Sequence, residues 1–304
     1  MASNQVGYVG AGPLFIGLRA GGPLRYVGQV PEFKLNITDT VKEMKDYAKG
    51  AGVAERFSFI DKVEATIVFS SSDVDNLALA LGGVDTALSV TPVTTNAQTA
   101  YPGALVELVG VSPKSVTVTV VPALGWVTLT ATTLGQILKP TTGTHFYKCT
   151  TAGTTGATEP TWKTDGTETS DGATLKWADM GSMVLTAGEY EIVSAGIVIP
   201  IDSVKIASAG TPVNIAHTPS VGYNIQALVN LSTEYRVIFA GKNMARAGKG
   251  LKVTMYRVIF ATTKELALIT EDFTKLTLTA SILSDDTKTG TDISAFCQIE
   301  MEAV

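Results

Sequence analysis

Residue types that carry out catalysis are few and scattered in this chain of 304 residues. The two histidines, His145 and His217, have no cysteine or carboxylate at metal-ligand spacing, which favours structural, hydrogen-bonded histidines. Asp285 and Asp286 form a carboxylate pair of the kind that hydrolysis uses across a cleft. They precede Thr-Lys-Thr-Gly, however, which is typical of a hairpin turn. We therefore expect a protein that is not an enzyme.

Cofactor and metal signatures are also missing from the sequence. The two cysteines, Cys149 and Cys297, are far apart, which predicts ordinary buried thiols rather than a disulfide framework or a metal site. The chain has no nucleophile elbow, phosphate-binding loop or zinc helix signature. The glycines between Gly10 and Gly22 lie in an extended arm and give no dinucleotide fingerprint. We expect no cofactor.

The charge and hydropathy of the chain limit its partners. The net charge of −5 and the pI near 5.2 give no overall attraction to nucleic acid or to an anionic membrane. No apolar run reaches the roughly 18 to 20 residues that span a bilayer, and the first residues do not show a signal-peptide pattern. These features predict a soluble protein that is made in the cytosol.

Residues 40–57 form a long charged excursion between two strand-like runs. A hairpin needs only about two to five residues to turn, so this length requires another explanation. Mixed charges beside Tyr47 and Phe57 suit a protein–protein contact in which opposite charges set the register. The alternative is an ordinary mobile loop. The candidate contact residues are Lys42, Glu43, Lys45, Asp46, Tyr47, Lys49, Glu55 and Arg56.

A second basic stretch, Gly241 to Gly250, lies between two strand-like runs and carries Lys242, Arg246 and Lys249. Nucleic-acid binders usually place aromatic residues among such charges, and this stretch has none. The pattern favours a subunit contact or a solvated hairpin tip over a phosphate site.

Alternation of apolar and polar residues predicts the strands that must position these groups. Each run places one face on a core and the other in water, as in an antiparallel sheet. The runs lie at 33–38, 64–69, 116–120, 234–239, 276–282 and 298–303. Many short strands without intervening helices predict a mainly all-β protein, with an antiparallel sandwich or barrel.

One helix is predicted over residues 72–81. Ser72 is the expected N-cap, and Asp75 three residues later completes a capping box. The apolar positions from Val74 to Leu81 form one stripe, and Gly82 and the glycine after it end the helix. We expect this helix to flank the sheet.

The composition changes in the middle of the chain. Residues 132–174 contain 15 threonines among 43 residues, and Trp162 and Trp177 lie within or just after this segment. Because disordered segments are poor in aromatics, we expect a small β module over 131–182 rather than a disordered loop. The two tryptophans either fill the core of the module or offer a weak glycan contact. Residues 1–130 and 183–304 would form the two parts of the main β domain.

The first part of the chain resembles a known family. The segments "VGQVPEFKLNIT", "KEMKDYAKGAGV" and "SSDVDNLALALGG", between Tyr26 and Gly83, resemble the major tail tube proteins of long-tailed bacteriophages. The resemblance covers about the first 110 residues and extends more loosely from Ile197 to Glu302. The Thr-rich segment resembles small β modules of other phage virion proteins, which implies that it points outward.

This resemblance implies a structural virion protein. Six copies would join edge strands into a ring with an inner β-barrel, and stacked rings would form a hollow tube for DNA. The excursion at 40–57 would reach the neighbouring ring. Independently of the resemblance, the arm at 1–22 is rich in glycine and proline and costly to order alone, so we expect it to become ordered only in the tube. The implied partners are further copies, the tail sheath or terminator, and baseplate and tape-measure proteins. DNA would pass without specific binding, and assembly would occur in the host cytoplasm.

Two other functions remain open from the residues. A surface decoration or receptor-binding β protein would use the inserted module on glycans and would form a small oligomer without tubes. A glycan hydrolase on a β scaffold would need a catalytic constellation that the sequence does not show.

Overall fold

The computed structural model describes residues 7–47 and 52–303. The chain divides into two compact units, which we call the first and second units. The first unit contains residues 7–86 and 223–303, and the second contains Ala87–Gly222. These bounds differ from the predicted ones, because strands on both sides of the Thr-rich segment belong to the second unit. Val118, for example, pairs with Ile215 in that unit.

The elements are numbered along the chain through both units. The first are β1 (Gly10–Ala11), β2 (Leu14–Leu18), β3 (Arg25–Tyr26), β4 (Glu32–Lys45), β5 (Val53–Phe69), α1 (Val74–Ala80) and β6 (Val84–Ala87). Next come β7 (Ala97–Ala100), β8 (Leu105–Glu107), β9 (Lys114–Val120), β10 (Leu124–Gly125), β11 (Ala131–Thr132), β12 (Ile137–Lys139), β13 (His145–Thr151), β14 (Gly153–Thr154), β15 (Thr169–Asp171), β16 (Leu175–Ser182), β17 (Glu191–Val193), β18 (Gly196–Val198) and β19 (Thr211–Thr218). The last are β20 (Tyr223–Gln226), β21 (Tyr235–Asn243), a 3₁₀ helix (Met244–Arg246), β22 (Lys249–Phe260), β23 (Leu276–Ile282) and β24 (Cys297–Met301).

The first unit is built on one antiparallel sheet in the order β3-β2-β21-β22-β23-β5-β4. In addition, β1 pairs with β21, and β24 pairs with the first half of β22. The predicted alternation places one face of the sheet in the core, which α1 partly covers. The fully or nearly fully buried side chains of this core are Leu14, Ile16, Val27, Val63, Ala65, Ile67, Phe69, Ala80, Val237, Met255, Val258, Phe260, Leu276, Leu278, Ala280 and Ile282.

The described part of the N-terminal arm is integrated into this sheet. Leu14 and Ile16 are buried, and β2 pairs with β21 over its whole length. The expectation that the arm becomes ordered only in an assembly is therefore wrong for these residues. The apolar residues of β2, which stand next to the glycines, bury enough apolar area for the arm to join the core of its own chain.

The helix is confirmed, but it is shorter than predicted and has a different cap. It spans Val74–Ala80, and the N-cap is Asp73, whose carboxylate accepts a hydrogen bond from the Asn76 backbone N–H at 2.8 Å. Aspartate is as good an N-cap as serine, so a start one residue after Ser72 satisfies the first turn equally well. Gly82, at φ +55°, ends the helix in the left-handed conformation.

The predicted excursion at 40–57 is mostly not a loop. The ladder of β4 and β5 continues through Lys42↔Phe57 and Met44↔Glu55, so only 46–52 connect the strands. Two irregularities interrupt it. One lies near the turn, between Met44 and Lys45, and the other lies at the base, where Thr38 pairs with Lys62 and the next residue, Asp39, pairs with Ile60. Asp61 is therefore an extra, unpaired residue. We call residues 39–47 with 52–61 the ribbon.

The second unit contains several small sheets. The orders are β7-β19-β9, β17-β18-β8, β10-β12-β13-β16-β15 and β11-β14. A first core lies among Val118, Ile197, Ile215 and their neighbours, and a second lies within the Thr-rich segment around Tyr147 and Trp177. The Thr-rich segment thus contains strands and most of this second core, within the unit Ala87–Gly222.

Candidate assembly surface

The ribbon extends beyond the sheet from which it arises. Val63 is the first buried residue of β5, and every residue from Gly52 to Lys62 is exposed. The paired part from Asp39 to Lys45 is roughly 20 Å long at about 3.3 Å per residue. A two-stranded ribbon with both faces in water is only marginally stable by itself, so it needs a further contact to become rigid.

One face of the ribbon carries two phenylalanines. Directly paired residues share a face, so Phe57 lies beside Lys42 and Phe59 lies beside Thr40. The two phenylalanine rings have centroids 5.9 Å apart, and Phe57 is 64% exposed. We call this the aromatic face of the ribbon; its residues are Thr40, Lys42, Met44, Glu55, Phe57 and Phe59. Exposed aromatics of this kind are typical of protein–protein contacts.

The opposite face of the ribbon carries a compensated charge pair. Arg56 Nε lies 4.0 Å from Glu43 Oε1, and both side chains are exposed. Such a pair contributes about 0 to 1 kcal/mol, so it sets orientation more than stability. The structure thus brings five of the predicted contact residues onto the ribbon strands. Asp46 and Tyr47 lie at its turn, and Lys49 lies outside the described residues.

The sheet of the first unit has free edges. In the described parts of the chain, β4 pairs only with β5, and β24 pairs only with β22. On β24 the side chains of Ile299 and Met301 are exposed. Unpaired edges with apolar side chains offer backbone donors and acceptors to a strand of another chain.

The second predicted contact, the turn with Lys242, Arg246 and Lys249, is partly used within the chain. Lys249 Nζ donates to the backbone oxygen of Ala303. Asn243, which the sequence did not single out, caps the 3₁₀ helix and accepts from the Val9 N–H at 3.2 Å. The turn therefore holds the arm and the last strand in place. Of its three basic residues, Lys242 is exposed, whereas Arg246 and Lys249 are half-buried.

The tryptophans of the Thr-rich module mainly form its core. Trp177 is fully buried, so it is not accessible to a sugar. Trp162 is half-buried and packs on Tyr147 with ring centroids 4.4 Å apart. Asp171, which sequence reasoning missed, accepts from the indole nitrogens of Trp126 at 2.8 Å and Trp177 at 3.3 Å. Its other oxygen accepts from a backbone N–H at 2.7 Å, so this buried carboxylate organises the module.

Of the two carboxylates considered for hydrolysis, Asp285 takes part in a hydrogen-bond and ion-pair network, and Asp286 is exposed. Asp285 is buried in the predicted turn, where hydrogen bonds from Thr287, followed by Arg19 at 3.0 Å, lower the pKa of its carboxyl. Glu234 joins the network, with Arg257 and Arg19 as donors that lower its pKa. They lie beside a cleft of about 550 Å³. Two carboxylates in this network are therefore paired with two arginines.

The histidines and cysteines also have structural surroundings. His145 Nδ1 lies 2.9 Å from Asp179, and buried His217 contacts the backbone oxygen of Val109 through Nε2 at 3.1 Å. Burial raises the pKa of both thiols, Cys149 and Cys297. Over residues 7–47 and 52–303, no cluster of three or more His, Cys, Asp or Glu residues could hold a metal ion. In the same residues no helix is long and apolar enough to cross a membrane.

Comparison with known proteins assigns a family but no activity. The chain matches the family described as "Protein of unknown function UCP028589" over residues 7–134 and 128–300. The two matched stretches together span most of both units, so the chain belongs to this family. A search of curated proteins found no relative that matches the chain.

Proposed function

We propose that this protein is a structural virion component that self-assembles into rings, which stack into the hollow tail tube of a long-tailed phage. The observation that carries the proposal is the ribbon, a long hairpin with both faces exposed and an aromatic face that its own chain does not cover. The resemblance of residues 26–83 to tail tube proteins supports the same function.

Ring formation would use the free edges of the first-unit sheet. Pairing of β4 from one copy with an edge strand such as β24 of the next would extend the ladder from subunit to subunit. Closure of such a ring, with six copies as the resemblance implies, removes the exposed edges that otherwise lead to uncontrolled pairing.

Stacking would use the ribbon, because it reaches past its own sheet by roughly 20 Å. The net charge of −5 suits a conduit along which DNA slides without specific binding. Further partners would be the tail sheath or terminator, and the baseplate and tape-measure proteins. The Thr-rich module would lie on the outside. Glycan binding or surface decoration by that module has less support, because Trp177 is buried.

The test is negative-stain electron microscopy of the intact protein and of a variant with a shortened ribbon. Asp39 and Ile60 are directly paired, so an Asn-Gly turn can replace 40–59 without disturbing the sheet. We expect hollow tubes from the intact chain, and rings or monomers from the shortened chain. Monodisperse intact protein, or tubes from the shortened variant, would contradict the proposal.

A further inference from the structure

A second exposed apolar surface lies in the connection between β22 and β23, residues 261–275, which we call the β22–β23 loop. Leu268, Ile269 and Phe273 are exposed at 86%, 98% and 94%, so their side chains contribute almost nothing to the core. Single exposed apolar residues are normal, but three large ones within six residues mark an interaction site. This surface is not among the contacts predicted from the sequence.

The base of the loop is anchored to the first unit. The Thr263 N–H donates to the Ala80 oxygen at the end of α1 at 2.7 Å, and Leu266 packs against the core. Thr270 Oγ1 donates to the Asp272 oxygen at 3.0 Å, which stabilises the turn before Phe273. The exposed apolar side chains are thus presented on a connection that is fixed at its start.

The β22–β23 loop and the ribbon lie at opposite ends of the same strands. Leu276, the first residue after the loop, pairs with Phe69 at the end of β5. The ribbon begins at the other end of β5, beyond Val63. From Phe69 to Phe57 the strand covers about 40 Å at roughly 3.3 Å per residue. Two copies aligned along the strand direction would therefore bring the ribbon of one towards the loop of the other.

Both surfaces expose apolar side chains, and one charge pairing between them is available, between Lys42 and the acids next to Phe273. On the aromatic face, Lys42 lies beside Phe57 and makes no ion pair within the described residues. In the β22–β23 loop, Glu271 and Asp272 stand beside Phe273 and likewise have no cationic partner in the part of the chain that the structure describes. Glu55 also lies on the aromatic face, one pair further towards the turn.

We propose that the β22–β23 loop is the docking surface for the aromatic face of the ribbon from a second copy of this chain. Phe57 and Phe59 pack on Leu268, Ile269 and Phe273, and Lys42 faces the two acids of the loop. The inference rests on the proposed function and names the surface that the ribbon contacts. Because the contact is head-to-tail, each added copy presents a new unused ribbon or loop, and growth continues along one axis.

The first experiment removes one surface at a time. A ribbon variant carries Phe57→Ser and Phe59→Ser, and a loop variant carries Leu268→Ser, Ile269→Ser and Phe273→Ser. The matched control carries Ile201→Ser and Val204→Ser, which are also exposed but lie in the second unit. Circular dichroism and thermal unfolding establish that all variants fold, and electron microscopy with analytical ultracentrifugation measures assembly. We expect tubes from the control alone.

Mixing the two variants provides the sharper result. The ribbon variant retains an intact loop and the loop variant retains an intact ribbon, so together they form one contact and then stop. We expect a paired species in the mixture, twice the mass of the species in either sample alone, and no tubes. Absence of that species would overturn the inference.

A charge exchange tests the orientation of the contact. Lys42→Glu should raise the critical concentration for assembly about tenfold, and Glu271→Lys with Asp272→Lys on the same chain should restore it. Failure of this restoration would overturn the assigned pairing.

Failure of the inference is distinguishable from failure of the proposed function. If the loop variant forms tubes like the control while the ribbon variant does not, the tube function stands and this docking surface is wrong. If the intact protein forms no tubes and the mixed variants form no paired species, both are wrong.

Discussion

The ribbon and the Thr-rich module are the two regions that depart from a plain β domain, and they use aromatic residues in opposite ways. In the module, Trp177 and Tyr147 are buried, and both pack against Trp162. In the ribbon, Phe57 and Phe59 contact one another but remain open to water. The module therefore satisfies its apolar groups internally, whereas the ribbon needs another molecule to do so.

The largest expected change in stability comes from a substitution in the core of the Thr-rich module. Trp177→Ala should lower the free energy of unfolding of the second unit by about 3 to 5 kcal/mol, because it leaves a large cavity in a small core. Denaturant unfolding followed by near-UV circular dichroism measures this loss. A loss below about 1 kcal/mol would show that the module core is not the stabilising element we describe.

The next effect concerns the carboxylate of the module. Asp171→Ala leaves the indole N–H groups of Trp126 and Trp177 and one backbone donor without an acceptor, and should cost about 2 to 3 kcal/mol. Asp171→Asn is the matched control, because it keeps one acceptor oxygen and should cost less. Equal losses for both variants would mean that shape rather than hydrogen bonding is decisive.

An intermediate effect should appear as a pH dependence in the first unit. Hydrogen bonds from Arg257 and Arg19 lower the pKa of Glu234. A lowered pKa in the folded state contributes stability above the ordinary pKa, about 4, and that contribution is lost as the pH falls through the folded value. Glu234→Gln should therefore lower the melting temperature at pH 7 and make its decline on acidification shallower.

The control for that prediction is in the ribbon. Glu43→Gln removes only the exposed partner of Arg56. At each pH from 3 to 7, the melting temperature of this variant should be almost the same as that of the unchanged protein. If the melting temperatures of Glu234→Gln and of the unchanged protein depend on pH in the same way, the ion-pair network does not have this role.

The smallest expected effect on stability is in the ribbon itself. Phe57→Ser should change the free energy of unfolding of the unassembled chain by less than about 0.5 kcal/mol, since an exposed side chain loses little on substitution. Denaturant unfolding at a concentration below that of assembly measures it. A loss comparable with that of Trp177→Ala would mean that Phe57 has a partner within its own chain.

The sequence predicted the mainly β fold because apolar and polar residues alternate along strands that have one buried face. It also predicted the helix, although the choice between Ser72 and Asp73 as the cap depended on backbone geometry. The predicted loop at 40–57 was wrong because charged residues on both faces conceal a strand with no core face to bury. Asp171 was missed because its role comes from Trp126 and Gly156, which are distant in sequence. The β22–β23 loop was missed because residue types alone do not show that Leu268, Ile269 and Phe273 are exposed.

The unpaired Asp61 forms a β-bulge at the base of the ribbon, where the ribbon leaves the sheet. An extra residue in one strand increases the local twist and bends the ladder. It therefore sets the direction of the ribbon relative to the sheet. Deletion of this one residue would keep every contacting side chain and rotate all of them together. In a stack of subunits, such a rotation would alter the angular offset from one layer to the next, and this single position would then govern the helical pitch.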